Sequence, residues 1–490
     1  NSVAGNTVLG ESALDASVSG GNNTAIGKDS LTANTSGQAN TAVGLNSLAA
    51  NTTGTHNIAI GTNTLDANTT ASSNVAIGHA ALTDNTTGTQ NVAIGRAALS
   101  DNSTASNNTG IGHNALLLNT TGDQNTAVGQ NCLDANTTAS NNTGVGKSAL
   151  GANTTGTQNT AVGSLALDAN TTANNNTAVG YDSLGANTTG AENTAIGTNA
   201  LDANTTGEKN TALGMHALSA NTTGSQNVSI GRGSLGSNTT ASNNTALGYF
   251  ALQQNTEGTS NVALGHSALT ACTTGSSNVA VGLNCLDANT TASNNVGVGT
   301  SALGANTTGA SNTAVGHQSL LSNTTGGSNV AVGSNALDAN TTGASNTALG
   351  KDALGLNTTA SNGVAVGRAA LSANTTGANN VALGTYAMQV STTGGNNTAV
   401  GHQALDANTT ASNNLAVGYH ALKLNTTGSS NVAVGAECLD ACTTGALNTA
   451  IGKGAATDIT TADYSVALGF EALKSVTTGD YNIGIGNNAA

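Results

Sequence analysis

The chain has 490 residues, of which 64 are Gly, eight are Phe or Tyr, 7% are charged and none is Pro or Trp. So few aromatic residues exclude an ordinary globular core of this size, and the lack of Pro excludes collagen. The low charge argues against intrinsic disorder, and the net charge of −14 argues against a nucleic-acid partner. No apolar run approaches the roughly 18 residues that a membrane-spanning helix needs.

A Gly that follows an aliphatic residue recurs with a 17-residue period from Gly10 to Gly486, without insertion or deletion. This spacing gives 29 units, each numbered from position 1, the Asn that stands four residues before that Gly. In the unit 40–56, position 1 is Asn40 and position 17 is His56. No linker divides the chain, so we expect one repeat domain over residues 1–490. Because the chain starts without Met, we expect it to be a segment of a longer fibre protein.

Each unit predicts two short strands and two turns. Positions 1 to 5 form a β-branched run that ends at Gly, and positions 8 to 11 form a second short run. The Gly at position 5 and the Asn-Thr-Thr stretch from position 12 supply the turns. Such units predict an all-β protein, a β-solenoid of 29 coils in which neighbouring coils pair in parallel. The lack of Pro fits this fold, since Pro would remove an N–H donor from a ladder.

The residue types at each position predict which side chains point inwards. Position 4 is always Ile, Val or Leu, and position 9 is almost always Leu, so we expect both to face the core. Position 1 is nearly always Asn, whose amide is expected to hydrogen-bond from coil to coil. Position 10 varies and carries nine Asp residues, never in adjacent coils, so it is expected to face solvent.

Position 3 is Ala, Gly or Ser in every unit except the first, which has Val8. A strand with restricted residues on both faces is expected to be buried on both faces. We therefore expect each chain to pack closely against further copies of itself, as a homo-oligomer around the long axis. The alternative is that a narrow coil leaves room only for a small side chain.

Residues 159–163 read Asn-Thr-Ala-Val-Gly, and residues 187–190 read Asn-Thr-Thr-Gly. This repeat resembles those in the head domains of trimeric autotransporter adhesins of the YadA type, although their repeat is shorter than the one in this chain. It is still more similar to the repeats of bacteriophage tail fibres and related bacterial surface fibres, over essentially the whole chain. The resemblance implies a left-handed parallel β-roll, three chains per fibre, and an extracellular structural or adhesive role.

Position 6 is the most variable position and the candidate contact surface. It carries seven of the ten Lys and Arg residues, together with three Tyr and one Phe. Mixed Arg and aromatic side chains on one exposed line are typical of surfaces that bind glycans or proteins, and the alternative is ordinary variation on a solvent face. The candidate contact residues are Arg96, Tyr181, Arg232, Tyr249, Arg368 and Tyr419.

The pairing of the five Cys residues is left open by the sequence. Cys132, Cys285 and Cys438 stand at position 8, nine units apart, which indicates duplication of a block of coils. All five are expected to be buried thiols or, in an exported protein, to form two disulfides that leave Cys132 unpaired. The candidate disulfides are Cys272–Cys285 and Cys438–Cys442.

No catalytic, metal or cofactor site is predicted. Every coil has the same length, so no long loop carries catalytic carboxylates, and Asp168 and Asp202 lie two coils apart without an enclosing pocket. The His residues at position 6 never occupy adjacent coils, which argues against a His–His metal site.

We therefore expect a non-catalytic structural shaft of an extracellular, cell-surface or virion-associated adhesive filament. Its expected partners are copies of itself, as a trimer or a head-to-tail filament, and a host-surface glycan or protein. Two alternatives stay open. An ice-binding solenoid would use flat Thr arrays, although Thr at position 2 alternates irregularly with Val. A phage tail-fibre receptor-binding or depolymerase segment would need a carboxylate-lined groove.

Overall fold

The structure is a computed structural model that describes residues 3–16 and 18–489. Contacts within the chain divide it into two compact units, Asn1–Asn244 and Thr245–Ala490. Each unit is built from 17-residue coils, and every coil contributes one three-residue strand at positions 2 to 4. The described residues contain no helix that is long and apolar enough to cross a membrane. The single domain expected over residues 1–490 stays a prediction.

The described residues of the first unit form 14 strands, which pair in parallel with their neighbours in chain order. Each strand residue lies opposite the residue 17 positions away, as Ala161 does opposite Ala178. The strands are β1 Thr7–Leu9, β2 Thr24–Ile26, β3 Thr41–Val43, β4 Ile58–Ile60, β5 Val75–Ile77, β6 Val92–Ile94, β7 Thr109–Ile111, β8 Thr126–Val128, β9 Thr143–Val145, β10 Thr160–Val162, β11 Thr177–Val179, β12 Thr194–Ile196, β13 Thr211–Leu213 and β14 Val228–Ile230.

In the second unit, residues 245–489 form 15 strands with the same parallel pairing and the same 17-residue register. The predicted all-β parallel solenoid with 17-residue coils is thus confirmed. The strands are β15 Thr245–Leu247, β16 Val262–Leu264, β17 Val279–Val281, β18 Val296–Val298, β19 Thr313–Val315, β20 Val330–Val332, β21 Thr347–Leu349, β22 Val364–Val366, β23 Val381–Leu383, β24 Thr398–Val400, β25 Leu415–Val417, β26 Val432–Val434, β27 Thr449–Ile451, β28 Val466–Leu468 and β29 Ile483–Ile485.

Positions 8 to 11 form turns, so the prediction of a second strand in each coil was wrong. In the coil 159–175, Leu165 at position 7 and Leu167 at position 9 have φ values of 61° and 52°, in the left-handed region. A strand would send successive side chains to opposite faces. Here the neighbours Ala166 and Leu167 both point into the coil and are fully buried.

Backbone hydrogen bonds join the coils around their whole circumference, turns included. In the coil 159–175, the N–H of Thr160 donates to a carbonyl of the following coil at 2.8 Å, and that of Gly163 to the preceding coil at 2.7 Å. In the turns, the N–H groups of Leu167 and Thr171 donate to the following coil at 3.0 and 3.1 Å. Pro would therefore interrupt a ladder in the turns as well as in the strand, which explains its absence.

The strand presents position 3 to the interior and position 4 to the outside, which is the reverse of the prediction for position 4. Ala161 at position 3 is fully buried, whereas Val162 at position 4 is 37% exposed. The side chain at position 9, which is nearly always Leu, already fills the space inside the coil. At Gly110, which stands at position 3, an added methyl group would lie only 3.3 Å from Leu99 Cδ1. Position 3 is therefore small because a narrow coil crowds it, and its small size is not evidence for an interface between chains.

Two ladders of Asn side chains complete the interior, and the one at position 1 was predicted. Asn159 accepts a hydrogen bond from the N–H of Asn176 in the next coil at 3.0 Å and donates to the Ala173 carbonyl at 2.8 Å. The second ladder stands at position 12, where Asn170 Nδ2 donates to Asn153 Oδ1 at 2.8 Å. Because these amides are fully buried, each ladder satisfies polar groups that would otherwise be costly.

Candidate functional site

All six candidate contact residues at position 6 are exposed, as the sequence predicted for that position. Position 6 follows the Gly that ends the strand, where the chain leaves the sheet and turns. Arg96, Tyr181 and Arg232 lie in the first unit, each at least three coils from the next. In the second unit, Arg368 and Tyr419 lie three coils apart but are joined by side chains between them, whereas Tyr249 belongs to a separate cluster.

We call the side chains of Arg368, Tyr386, His402, Tyr419 and His420 the ring platform. The Arg368 guanidinium lies over the Tyr386 ring, with its Cζ 5.5 Å from the ring centroid. The edge of Tyr386 meets His402 at a centroid distance of 6.2 Å, and His402 stacks on Tyr419 at 5.8 Å. Tyr419 stacks in turn on His420 at 3.7 Å. The platform thus extends over four consecutive coils of the second unit.

The ring platform combines partly exposed aromatic side chains with polar groups of both signs. Tyr419 is 50% exposed, and His402 is exposed as well. His420 is half-buried, and its Nε2 lies 2.8 Å from Gln403 Oε1. Partial burial lowers the pKa of His420, and the positive charge of Lys423 lowers it further. Because an amide oxygen only accepts, the Nε2–H of His420 is the donor in this hydrogen bond to Gln403.

A smaller cluster of rings lies at the start of the second unit. Tyr249 stacks on His266 with a centroid distance of 5.2 Å, and both stand at position 6 of adjacent coils. Phe250, at position 7, lies 4.1 Å from Tyr249 in a tilted arrangement. This cluster contains one Tyr, whereas the ring platform contains two.

Position 7 contributes side chains to both clusters, which was not predicted from the sequence. Tyr386, His420 and Phe250 all stand at position 7, where the backbone adopts φ values of 53° to 60°. A side chain there stands beside the side chains at position 6 in its own and neighbouring coils, so the two positions form one surface. Tabulating positions 6 and 7 together would have placed Tyr386 next to His402 and His402 next to His420.

All five Cys residues are free, buried thiols in the structure. Neither candidate disulfide is formed. Cys272 and Cys442 stand in the Asn ladder at position 12. Their Sγ atoms donate to the carbonyls of Gly275 and Gly445 at 3.4 and 3.5 Å, which is the bond that the Asn amide makes in other coils. Burial raises the pKa of Cys272 to about 11, so the thiol stays protonated and unreactive at neutral pH.

Two of the three Cys side chains at position 8 are matched by a smaller residue in the next coil. Cys132 is followed at position 3 by Gly144, and Cys285 is followed by Gly297. A methyl group added at either Gly would lie only 2.5 to 2.6 Å from the sulfur. The Gly residues therefore make room for the thiols, which identifies these Cys residues as part of the packed interior. Burial accordingly raises the pKa of Cys132 to about 12.

The Asp side chains at position 10 are half-buried, apart from Asp15, so the prediction that this position faces solvent was wrong for most of them. Burial raises the pKa of Asp66 and of Asp168, and the charge of Asp182 raises that of Asp168 further. Oδ1 of Asp66 is buried without a hydrogen-bond partner. A raised pKa in the folded state means that ionisation at neutral pH lowers stability, and that protonation in acid restores it.

A pocket of about 260 Å³ in the second unit lies beside one of these carboxylates and a second Asp from the next coil. Asp338 at position 10 and Asp352 at position 7 of the next coil line it, next to Gly355. Gly355 leaves the space open, since an added methyl group there would lie 3.4 Å from Asp338 Oδ1. Burial raises the pKa of Asp338, and the charge of Asp352 raises it further.

The Thr residues that an ice-binding surface would need stand at three different positions of the coil, namely positions 2, 13 and 14. Position 2 lies on the outer face of the sheet beside position 4. At position 13, hydroxyls such as that of Thr171 donate to the following coil, to the Thr188 carbonyl at 3.1 Å. At position 14 the Thr side chains are exposed, as at Thr172 and Thr189, and they form a line only one residue wide along the stacked coils. Ice binding stays a prediction.

Comparison with known proteins adds no family to these observations. The chain matches no protein-family model, and a search of curated proteins finds no match. Among the described residues, no group of three or more His, Cys, Asp or Glu side chains is placed to hold a metal ion.

Proposed function

We propose that the protein is a non-catalytic structural shaft of an extracellular, cell-surface or virion-associated adhesive fibre. The observation that carries this proposal is the ladder of backbone hydrogen bonds around the whole circumference of each coil. Each coil is thereby held to its neighbours in the turns as well as in the strand, which suits a stiff support. Because all coils have equal length, the part of the chain that the structure describes has no projecting loop for proteases to attack.

The outer face of the sheet, formed by positions 2 and 4, supports self-association. Position 2 is Thr, Val, Ile or Leu and position 4 is Ile, Val or Leu in every coil, so this face carries no charged side chain. Two side chains per coil over the 14 coils of the first unit, at roughly 50 Å² each, expose on the order of 1,400 Å². A standard protein interface buries about 800 Å² on each partner. We propose that copies of the chain cover this face, as a trimer around a common axis.

Lys substitutions at position 4 in three successive coils are expected to dissociate the oligomer. Each Lys would place an unpaired charge in the buried interface between chains. Because position 4 is partly exposed in the single chain, the coil itself is expected to stay folded. Sedimentation velocity at micromolar concentration measures the effect. The triple variant is Val162→Lys, Val179→Lys and Ile196→Lys.

The matched control places three Lys residues in the same region but on the exposed column at position 14. The parent chain and this control are expected to sediment as trimers, and the position 4 variant as a monomer with an unchanged circular dichroism spectrum. A monomeric parent would contradict the proposal, as would dissociation of the control. The control variant is Thr155→Lys, Thr172→Lys and Thr189→Lys.

A further inference from the structure

The ring platform concentrates residue types that are otherwise scarce in this chain. The sequence has only six Tyr and eight His, and two of each lie within the three coils that carry Tyr386, His402, Tyr419 and His420. Ordinary variation on a solvent face would scatter these side chains instead of stacking them. His402 and Tyr419 are also exposed, so their rings do not serve the packing of the interior.

Planar side chains recur at the same place in each block of nine coils. His402 and Tyr419 stand nine coils after Tyr249 and His266, and both pairs stack. The corresponding residues in the first unit, a further nine coils earlier, are Arg96 and His113, also at position 6 of adjacent coils. The three Cys residues at position 8 recur at the same interval. Two planar side chains thus stand at position 6 of adjacent coils at the same place in each of the three nine-coil blocks.

The chemistry around the ring platform favours a neutral ligand. Arg368 and Lys423 contribute positive charge, and Asp406 and Glu437 contribute negative charge, so neither sign dominates. The exposed parts of the Tyr and His rings offer apolar surface to the C–H groups of a sugar, while the amide of Gln403 and the nearby carboxylates and cations offer partners for hydroxyl groups. Coils rise by about 4.8 Å, which is close to the length of one pyranose, so a sugar chain along the stack advances by about one residue per coil.

We propose that the ring platform is a binding site for a neutral oligosaccharide that runs along the stack of coils. The inference deepens the adhesive part of the proposed function, and it is independent of the trimer. Its test is separate as well. Failure to bind sugar leaves the sedimentation result untouched, whereas a monomeric parent can still bind sugar.

The full chain is titrated by isothermal calorimetry with maltohexaose, chitohexaose and mannohexaose. The reference protein in these titrations is the full chain with Tyr249→Ala, so that the smaller cluster does not contribute. Every further substitution is made in this reference protein. We expect at least one hexasaccharide to bind, and Tyr419→Ala to weaken that binding by about tenfold or more. Tyr386→Ala is expected to act in the same direction.

The control is Tyr464→Ala, which removes a ring that stacks on Tyr481 at 5.0 Å, at position 17 and outside the platform. It is expected to change the dissociation constant less than twofold. Three results would overturn the proposal: no binding of any of the three sugars, undiminished binding by Tyr419→Ala, or equal losses from Tyr464→Ala and Tyr419→Ala. Tyr419 is 50% exposed, and circular dichroism checks that its variant remains folded.

Discussion

Replacement of Gly163 by Ala is expected to lower the free energy of unfolding of the first unit by about 3 to 5 kcal/mol. Gly163 stands at position 5, where the chain leaves the strand with a φ of 140°, in a region that side chains make unfavourable. An added methyl group would also collide with the carbonyl oxygen of Gly180 in the next coil. That contact involves two backbones in adjacent coils, so relief requires a shift of the stack. Urea unfolding followed by circular dichroism measures the change.

Gly151→Ala is the matched control for this prediction. Gly151 stands at position 10 of the preceding coil, and an added methyl group there would meet its closest neighbour at an ordinary 3.4 Å. We expect this variant to unfold within about 0.5 kcal/mol of the parent. Equal effects of the two substitutions would contradict the geometry at position 5.

Replacement of Ala161 by Leu is expected to be the second most damaging change, at about 3 kcal/mol or more. Ala161 is fully buried at position 3, in an interior that the Leu residues at position 9 already fill. Three additional carbon atoms have no space there without displacing a neighbouring coil. The free energy of unfolding in urea measures this effect as well.

The neighbouring residue provides the control, since Val162→Leu adds volume on the outer face. Val162 is 37% exposed, and Leu occupies the same position in other coils, as at Leu213. We expect the free energy of unfolding of the isolated chain to change by less than about 0.5 kcal/mol, as is usual for a surface substitution. If Val162→Leu proved more damaging than Ala161→Leu, position 4 would face the core after all.

The repeat length, the parallel pairing and the first Asn ladder could be predicted because each leaves a periodic signal. The Gly at position 5 recurs with a 17-residue period, and a stacked amide needs an identical partner in the next coil. The second strand was predicted wrongly because Leu167 adopts a left-handed conformation that Leu ordinarily avoids. Hydrogen bonds to adjacent coils outweigh that local preference, and no single unit reveals them.

The inward and outward faces of the strand were not predictable from hydrophobicity alone. Aliphatic side chains at position 4 suggested a core, but in every coil after the first the interior holds only Ala, Gly or Ser at position 3, beside the side chain at position 9. The candidate contact residues were predicted to be exposed, and they are. Their grouping was not predicted, because Tyr386 and His420 come from the adjacent position and meet His402 only across coils.

Residue-resolved amide hydrogen exchange tests most directly whether backbone ladders surround the whole coil. In the coil 159–175, the turn amides of Leu165, Leu167, Ala169 and Thr171 donate to adjacent coils at 3.0 or 3.1 Å. We expect these four amides to exchange as slowly as that of Thr160 in the strand. Slow exchange confined to the three-residue strands, with turn amides exchanging at the rate of an unfolded chain, would contradict the account.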